Sequence, residues 1–275
     1  MAVCAVASVL SALMPTSATA GSLTYAGTLA NSGASSLRSS LIVTGTGLTR
    51  TIAIIEVDLR SGARVTHYHV DMQKRMHLII VSDDLTHFMH IHPTLDADGT
   101  FRIATTFPAN GAYHLYADAV PRGFGHEVFR FDVPIDATAK PMTRRPLAPA
   151  AVANAGPYSV RLSTDHVKAG VDNPMLIAIT ENGEPASGLH PYLGAYAHVV
   201  AIGAKDLSYT HIHAMAMSSM AGMPTGDAPP LPANAAVPAT MPIHVTLPRA
   251  GIYKVWVQFI GGSRLYAAPF VIEAT

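Results

Sequence analysis

The chain repeats its own motif set, and this duplication limits the folds that it can adopt. Adding 121 to the positions of His77, His90 and His92 gives His198, His211 and His213. In both halves an Asp-Leu pair lies between the first and second histidine, and a Pro-x-x-Gly-x-Tyr motif follows further on. Self-similarity over this length predicts two tandem domains of one fold.

Short runs of alternating or β-branched residues fill both halves from Ser22 onward, with Gly, Asn, Asp and Pro between them. Residues 51–57 and 253–257 are examples, and no long stretch shows helical periodicity. This pattern is typical of the short strands of β-sandwiches. The sequence therefore predicts an all-β protein with two tandem β-sandwich domains.

An alanine-rich segment with three prolines separates the two halves. Proline cannot donate a ladder hydrogen bond, so such a segment is expected to form a semi-stiff spacer rather than a central strand. The predicted organisation is a signal peptide over residues 1–20, a first sandwich over 21–136, a linker over 137–155 and a second sandwich over 156–275.

The N-terminus resembles a secretory signal. An apolar run from Val3 to Met14 is followed by Ala18 and Ala20, the small residues expected before cleavage at Gly21. No Lys or Arg precedes Arg38, so the usual basic start is missing, and a buried N-terminal helix is the alternative. Export would place the protein in the periplasm or outside the cell. The mature chain has no apolar run of membrane-spanning length.

The one cysteine, Cys4, lies inside the predicted signal. A mature chain without cysteine excludes disulfides, zinc–thiolate sites, iron–sulfur clusters and a cysteine nucleophile. It also excludes a blue-copper centre, which requires a thiolate. Lys plus Arg equal Asp plus Glu at 18 each, which argues against nucleic acid as the main partner.

The repeated histidines suit a metal ion. Side chains at i and i+2 of a strand share a face, so His90 and His92 point the same way, as do His211 and His213. A hairpin turning at residues 83–84 would set His77 opposite His90, and the same spacing would set His198 opposite His211. Three imidazoles with an open position suit Zn²⁺ or Cu²⁺. A network of paired, hydrogen-bonded histidines is the alternative.

Methionines extend the second constellation. If the strand through His211 and His213 continues, Met215 and Met217 lie on the same face. Imidazole beside thioether favours copper, because the soft sulfur prefers Cu(I). The alternative is a flexible loop in which methionine is an adaptable apolar contact.

These motifs carry a family resemblance. Met76-His77-Leu78, the following Asp-Leu, the His-x-His and the Pro-x-x-Gly-x-Tyr resemble bacterial secreted proteins with YtkA-like, cupredoxin-related domains. The likeness covers most of residues 50–133 and 170–273, and residues 191–195 resemble the second domain of two-domain members. It implies extracytoplasmic Ig-like or cupredoxin-like sandwiches and copper handling. One departure is Met72, which stands where that pattern often has a further histidine.

Three functions remain open at the level of sequence. The first is a periplasmic or secreted copper carrier or buffer without catalysis, which exchanges its ion with another periplasmic metal-handling protein; zinc is the second choice of metal. The second is a structural or adhesive module that binds a protein or envelope partner. The third is a metalloenzyme, which is disfavoured because no general base accompanies the histidines.

Overall fold

The computed structural model describes residues 22–136, 145–164, 166–215 and 230–275. The predicted signal peptide, residues 137–144 of the predicted linker, and Met217 lie outside these ranges. The first sandwich contains β1 Leu23–Ala26, β2 Thr28–Leu29, β3 Leu37–Thr44, β4 Thr49–Asp58, β5 Met76–Ser82, β6 Phe88–Ile91, β7 Thr94–Leu95, β8 Thr100–Thr106, β9 Gly111–Ala119 and β10 Glu127–Ile135. The second contains β11 Val152–Ala155, β12 Tyr158–Leu162, β13 Asn173–Glu181, β14 Glu184–Pro185, β15 Leu189–His190, β16 Ala197–Gly203, β17 Tyr209–Ala214, β18 Thr240–Val245, β19 Gly251–Gly261 and β20 Arg264–Ala274.

The all-β tandem sandwich fold is confirmed. In the first sandwich one sheet has the order β1-β3-β4-β8-β7 and the other has the order β2-β10-β9-β5-β6. Alternate side chains of the two sheets meet in a core that includes Leu41, Ile54, Leu78, Leu115 and Phe131. This alternation buries one face of each strand, as expected for sheets packed face to face. Within the described ranges no helix is long and apolar enough to span a membrane.

The second sandwich repeats the strand order of the first. The sheet β11-β12-β13, with β18 beside β13, corresponds to β1-β3-β4-β8, and the sheet formed by β17, β16, β19 and β20 corresponds to β6-β5-β9-β10. The strand β11 begins inside the span predicted as linker and pairs with β12. The predicted linker is therefore too long at its C-terminal end.

The repeated Pro-x-x-Gly-x-Tyr motif has the same structural role in both sandwiches. The Tyr113 hydroxyl donates to the Ala109 carbonyl at 2.8 Å and accepts from the Ala109 N–H at 3.2 Å. The Tyr253 hydroxyl makes the same pair of bonds with Arg249, at 2.8 and 3.1 Å. Each tyrosine thus ties the start of a central strand to the turn before it.

The two sandwiches pack against each other through β5 and β16 and their neighbouring strands. Every residue of β5 is buried, because the strand faces its own core on one side and the second sandwich on the other. Two stacked ring pairs cross the boundary. Phe88 lies on Trp256 with centroids 4.7 Å apart, and Tyr116 lies on Tyr209 at 4.9 Å. The boundary is therefore a third apolar cluster, and the histidines lie at its edge.

Candidate metal centre

The predicted register of the first hairpin is wrong by two residues. His90 lies opposite Ile79 rather than opposite His77. The Ser82 N–H bonds to the His87 carbonyl at 3.1 Å, so the turn spans residues 83–86 instead of the two residues predicted. The second hairpin has the same shift, which places His198 opposite His213 rather than opposite His211. A shift of two residues preserves the face of every side chain, so each set of three histidines still shares a face.

The two predicted constellations meet at the boundary between the sandwiches. One nitrogen from each of four histidines lies within 4.8 Å of the others, with two residues from each sandwich. We call His77, His90, His198 and His211 the inner four. The alternation along β5 explains the meeting, because His77 shares its face with Ile79 and Val81, which both pack across the boundary.

The first residue of each set donates to a tight turn. Nε2 of His77 lies 3.1 Å from the Asp71 carbonyl, and Nε2 of His198 lies 3.0 Å from the Tyr192 carbonyl. Both carbonyls open turns with two residues at positive φ, which include Met72 at 40°. A methionine rarely adopts this conformation, so the surrounding contacts hold the turn in place. A carbonyl only accepts, and each Nε2 therefore carries the proton.

The second residue of each set donates across the boundary. Nδ1 of His90 lies 2.6 Å from Oε1 of Gln258 in the second sandwich. Nδ1 of His211 lies 3.1 Å from Oδ2 of Asp118 in the first. Asp118 and Gln258 occupy equivalent positions on β9 and β19, opposite the first histidine of their own sandwich. Each sandwich thus orients a histidine of the other.

In each of the inner four, the nitrogen that donates to Asp71, Tyr192, Gln258 or Asp118 is the outer nitrogen and carries the proton. The other ring nitrogen of each carries a lone pair, and these four lone pairs point inward. Nδ1 of His77 lies 2.9 Å from Nε2 of His90, and Nδ1 of His198 lies 3.3 Å from Nε2 of His211. Two lone pairs at these distances repel each other unless a cation lies between them. Nitrogens bound to one tetrahedral ion at about 2.0–2.1 Å lie about 3.3 Å apart. The His77–His90 and His198–His211 pairs thus have about the spacing and the protonation of metal ligands, and all four nitrogens lie within 4.8 Å of one another. Their outer N–H groups are satisfied as in known metal sites.

Burial favours the neutral form of His77, His90 and His198. It lowers the pKa of His77 to about 4, with the nearby His211 as the next cause. Burial also lowers the pKa values of His90 and His198 well below the usual range. Metal ions bind the neutral imidazole, so no proton has to leave these side chains at neutral pH.

Asp118 is the carboxylate that contacts the inner four. It is 3% exposed and accepts bonds from His211, from the Tyr209 hydroxyl at 2.7 Å and from His126 at 2.5 Å. Burial alone would raise its pKa, but the bonds from His126 and His211 outweigh burial and hold its pKa well below the usual range. Asp118 therefore places a negative charge beside the inner four.

The remaining predicted histidines lie beside the inner four. Nε2 of His92 is 3.2 Å from Nε2 of His90. The ring of His213 lies 4.6 Å from those of His198 and His211, and its Nε2 is buried without a hydrogen-bond partner among the described residues. We call these two and the inner four the histidine cluster.

The strand through His211 and His213 does not continue to Met215, because β17 ends at Ala214. Met217 lies outside the described residues. Met215 is 4% exposed and packs in a small apolar cluster with Met72 and Ala195, against Leu231. Its surroundings are those of a packing residue that joins the two sandwiches.

Sequence reasoning missed the outer partners of the histidines. Asp118 and Gln258 each follow the motif tyrosine by five residues, Tyr113 in one half and Tyr253 in the other. This common offset was a usable signal. The carbonyls of Asp71 and Tyr192 carry no such signal, because any residue supplies a carbonyl.

The comparison with protein families finds a match over most of the chain. The model described as "Domain of unknown function (DUF8832)" matches residues 39–137 and 151–275. The chain belongs to this family. The matched segments take in most of β3 and all of β4–β20, so the family model covers the greater part of both sandwiches and all six residues of the histidine cluster. No curated protein matches the chain.

Proposed function

We propose that the protein is an extracytoplasmic copper-binding protein, a carrier or buffer that holds copper in the histidine cluster between its two sandwiches. The observation that supports this most is the arrangement of the inner four, whose outer nitrogens are all protonated and whose inner nitrogens all carry lone pairs. A network of neutral paired histidines would need a proton between each pair, and the outer acceptors leave none there.

The ligand chemistry favours copper over zinc. Imidazole suits both metals, but Cu²⁺ binds nitrogen ligands more tightly than Zn²⁺ at an equivalent site. As neutral imidazoles the inner four contribute no charge of their own, which also suits the monovalent ion Cu(I). Two carboxylates lie close to them: Asp118, which accepts from His211, and Asp71, which interacts electrostatically with His211. Hard cations such as Mg²⁺ and Ca²⁺ require oxygen ligands and are disfavoured.

Export completes the proposal. The apolar run before Ala18 and Ala20 supports secretion, and the resemblance to YtkA-like, cupredoxin-related proteins points the same way. We expect the mature chain to begin near Gly21. Intact-mass analysis of protein from the exported fraction tests this, and a cytoplasmic product that retains residues 1–20 would contradict it.

The metal proposal is tested by competition titration. Full-length mature protein is titrated against a Cu(I) chelator, a Cu(II) chelator and a zinc chelator. The double variant His77→Ala/His198→Ala removes one inner ligand from each sandwich and should lose copper affinity by more than the 10–100-fold that is typical of losing an outer partner. The control is His67→Ala/His69→Ala, an exposed His-x-His pair that should leave the affinity unchanged.

Circular dichroism verifies that the variants fold, and His77→Gln/His198→Gln replaces the alanine variant if it does not. If wild-type protein binds neither copper ion more tightly than the double variant, copper binding is abandoned. The histidines would then serve to join the sandwiches of a structural or adhesive module. If the protein binds zinc more tightly than either copper ion, the proposed metal is zinc instead of copper.

A further inference from the structure

The histidine cluster contains two more imidazoles than one tetrahedral ion uses. The ring of His92 lies 5.0 Å from that of His77 and 4.7 Å from that of His90. His213 holds the equivalent place in the second sandwich, 4.6 Å from both His198 and His211. Six rings therefore form one group with three members from each sandwich, related by the internal duplication.

We propose that the histidine cluster holds two copper ions, one bound by His77, His90 and His92 and the other by His198, His211 and His213. This inference rests on the proposed copper binding and extends it to the number of ions and their ligands.

The nitrogens of the cluster favour two ions. A single ion on the inner four would leave Nε2 of His92 and Nε2 of His213 unused. The second of these atoms is buried and has no partner in the described part of the chain, which is a costly state for a polar nitrogen. Two ions with three imidazoles each use all six nitrogens. Both atoms are Nε2 at equivalent positions, so the two sites have the same ligand pattern.

The distances within each set fit a shared ion. In the first set Nε2 of His90 lies 2.9 Å from Nδ1 of His77 and 3.2 Å from Nε2 of His92. In the second, Nδ1 of His198 lies 3.3 Å from Nε2 of His211. Three nitrogens at about 2.0–2.1 Å from one ion lie about 3.3–3.6 Å apart, so shifts of a few tenths of an ångström form the sites.

The two sets face each other closely. The His77 and His211 rings lie 5.1 Å apart, and the His90 ring lies 5.3 Å from His211 and 5.5 Å from His198. Ions centred in the two sets would therefore lie a few ångströms apart, the separation known from two-metal sites. At a given distance two divalent ions repel each other about four times as strongly as two monovalent ions. Neutral imidazoles do not offset this repulsion, so the cluster suits two Cu(I) ions better than two Cu(II) ions.

A cleft lies beside the second set. It lies at the boundary, has a volume of about 430 Å³ and is lined by His211 together with Asn31, His126, Tyr209 and Thr246.

The experiment is a count of Cu(I) ions per chain by native mass spectrometry and chelator titration. Wild-type mature protein should bind two. His92→Ala/His213→Ala should bind one, on the inner four, and the exposed control His67→Ala/His69→Ala should bind two. If the alanine variant does not fold, His92→Gln/His213→Gln takes its place. X-ray absorption of the protein loaded with two ions should show copper–copper scattering at less than about 4 Å.

Each outcome separates the inference from the function on which it rests. No ion in wild-type protein removes both proposals. One ion in wild-type protein, unaffected by loss of His92 and His213, overturns the two-ion inference and leaves the copper proposal standing. Two ions in both wild-type protein and the double variant would place the second ion outside the cluster, which also overturns the inference.

Discussion

Asp118 of the first sandwich accepts a hydrogen bond from His211 of the second, and the residue at the equivalent position, Gln258, accepts one from His90. The two hydrogen bonds across the boundary thus have equivalent geometry in the two halves, although the Asp118 acceptor is charged and the Gln258 acceptor is neutral. A histidine that donates to a carboxylate is the more basic metal ligand. The two halves of the histidine cluster are therefore alike in shape and unequal in electrostatics.

This asymmetry predicts that Asp118 sets the metal affinity. Asp118→Asn keeps the shape of the side chain and removes its charge, so copper affinity should fall by about 10–100-fold. Chelator competition measures the loss. The matched control is Asp132→Asn, which alters an exposed carboxylate that also bonds a histidine, His114, at 2.7 Å. Equal affinity in the Asp118 variant and the wild type would contradict the assignment.

The histidine face was predictable from sequence because the period of a strand is two. His90 and His92 stay on one face under any shift of register by two residues. The wrong turn length therefore did not change the prediction that they share a face with His77. The turn length itself was not readable, because Asp83-Asp84 is equally typical of a two-residue and of a four-residue turn.

The meeting of the two sets was not predicted, although β5 carried a sign of it. The run from Leu78 to Val81 is apolar without alternation, which is typical of a strand buried on both faces. One of those faces requires a partner outside the sandwich. That this partner is β16 could not be predicted from the sequence, because apolar packing is not directional. That relation emerges from the shapes of the two sheets.

Copper should stabilise the folded protein, because the unfolded chain has no preformed cluster. A ligand at 100 times its dissociation constant adds about 2.7 kcal/mol to the free energy of unfolding. We expect the midpoint of thermal unfolding to rise on addition of Cu(I) and to stay unchanged for His77→Ala/His198→Ala. Differential scanning calorimetry measures both. An equal rise in the double variant would mean that copper binds elsewhere.

Trp256 should report on the packing of the two sandwiches. It is the one tryptophan of the chain, is 3% exposed and stacks on Phe88 across the boundary. Phe88→Ala should lower the free energy of unfolding by about 1–3 kcal/mol and shift the tryptophan emission to longer wavelength as water reaches the ring. Val70→Ala, at a side chain that is 58% exposed, is the control. Unchanged emission in Phe88→Ala would show that the boundary does not depend on this stack.

The metal-free protein should lose stability as the pH falls below the usual pKa of histidine. Burial lowers the pKa of His77 to about 4, whereas in the unfolded chain it is about 6.5. Between these values the unfolded state binds the extra proton, so the free energy of unfolding rises with pH over this window and is level above it. Below pH 4 this difference between the folded and the unfolded pKa of His77 lowers the free energy of unfolding by about 3 kcal/mol.

Two carboxyls, Glu56 and Asp71, act in the opposite direction, because burial raises the pKa of each. Asp71 adjoins the histidine cluster and is kept in both proteins compared, whereas Glu56 is replaced. Burial raises the pKa of Glu56 to about 7, so this group stabilises the fold below its unfolded value of about 4.5 and loses that contribution as the pH rises toward 7. Urea unfolding is therefore measured from pH 4 to pH 8, with chelator present, in Glu56→Gln with and without His77→Gln. The slope between pH 4 and pH 6.5 should be smaller when His77 is replaced. Equal slopes would mean that His77 is not held neutral by its burial in the histidine cluster.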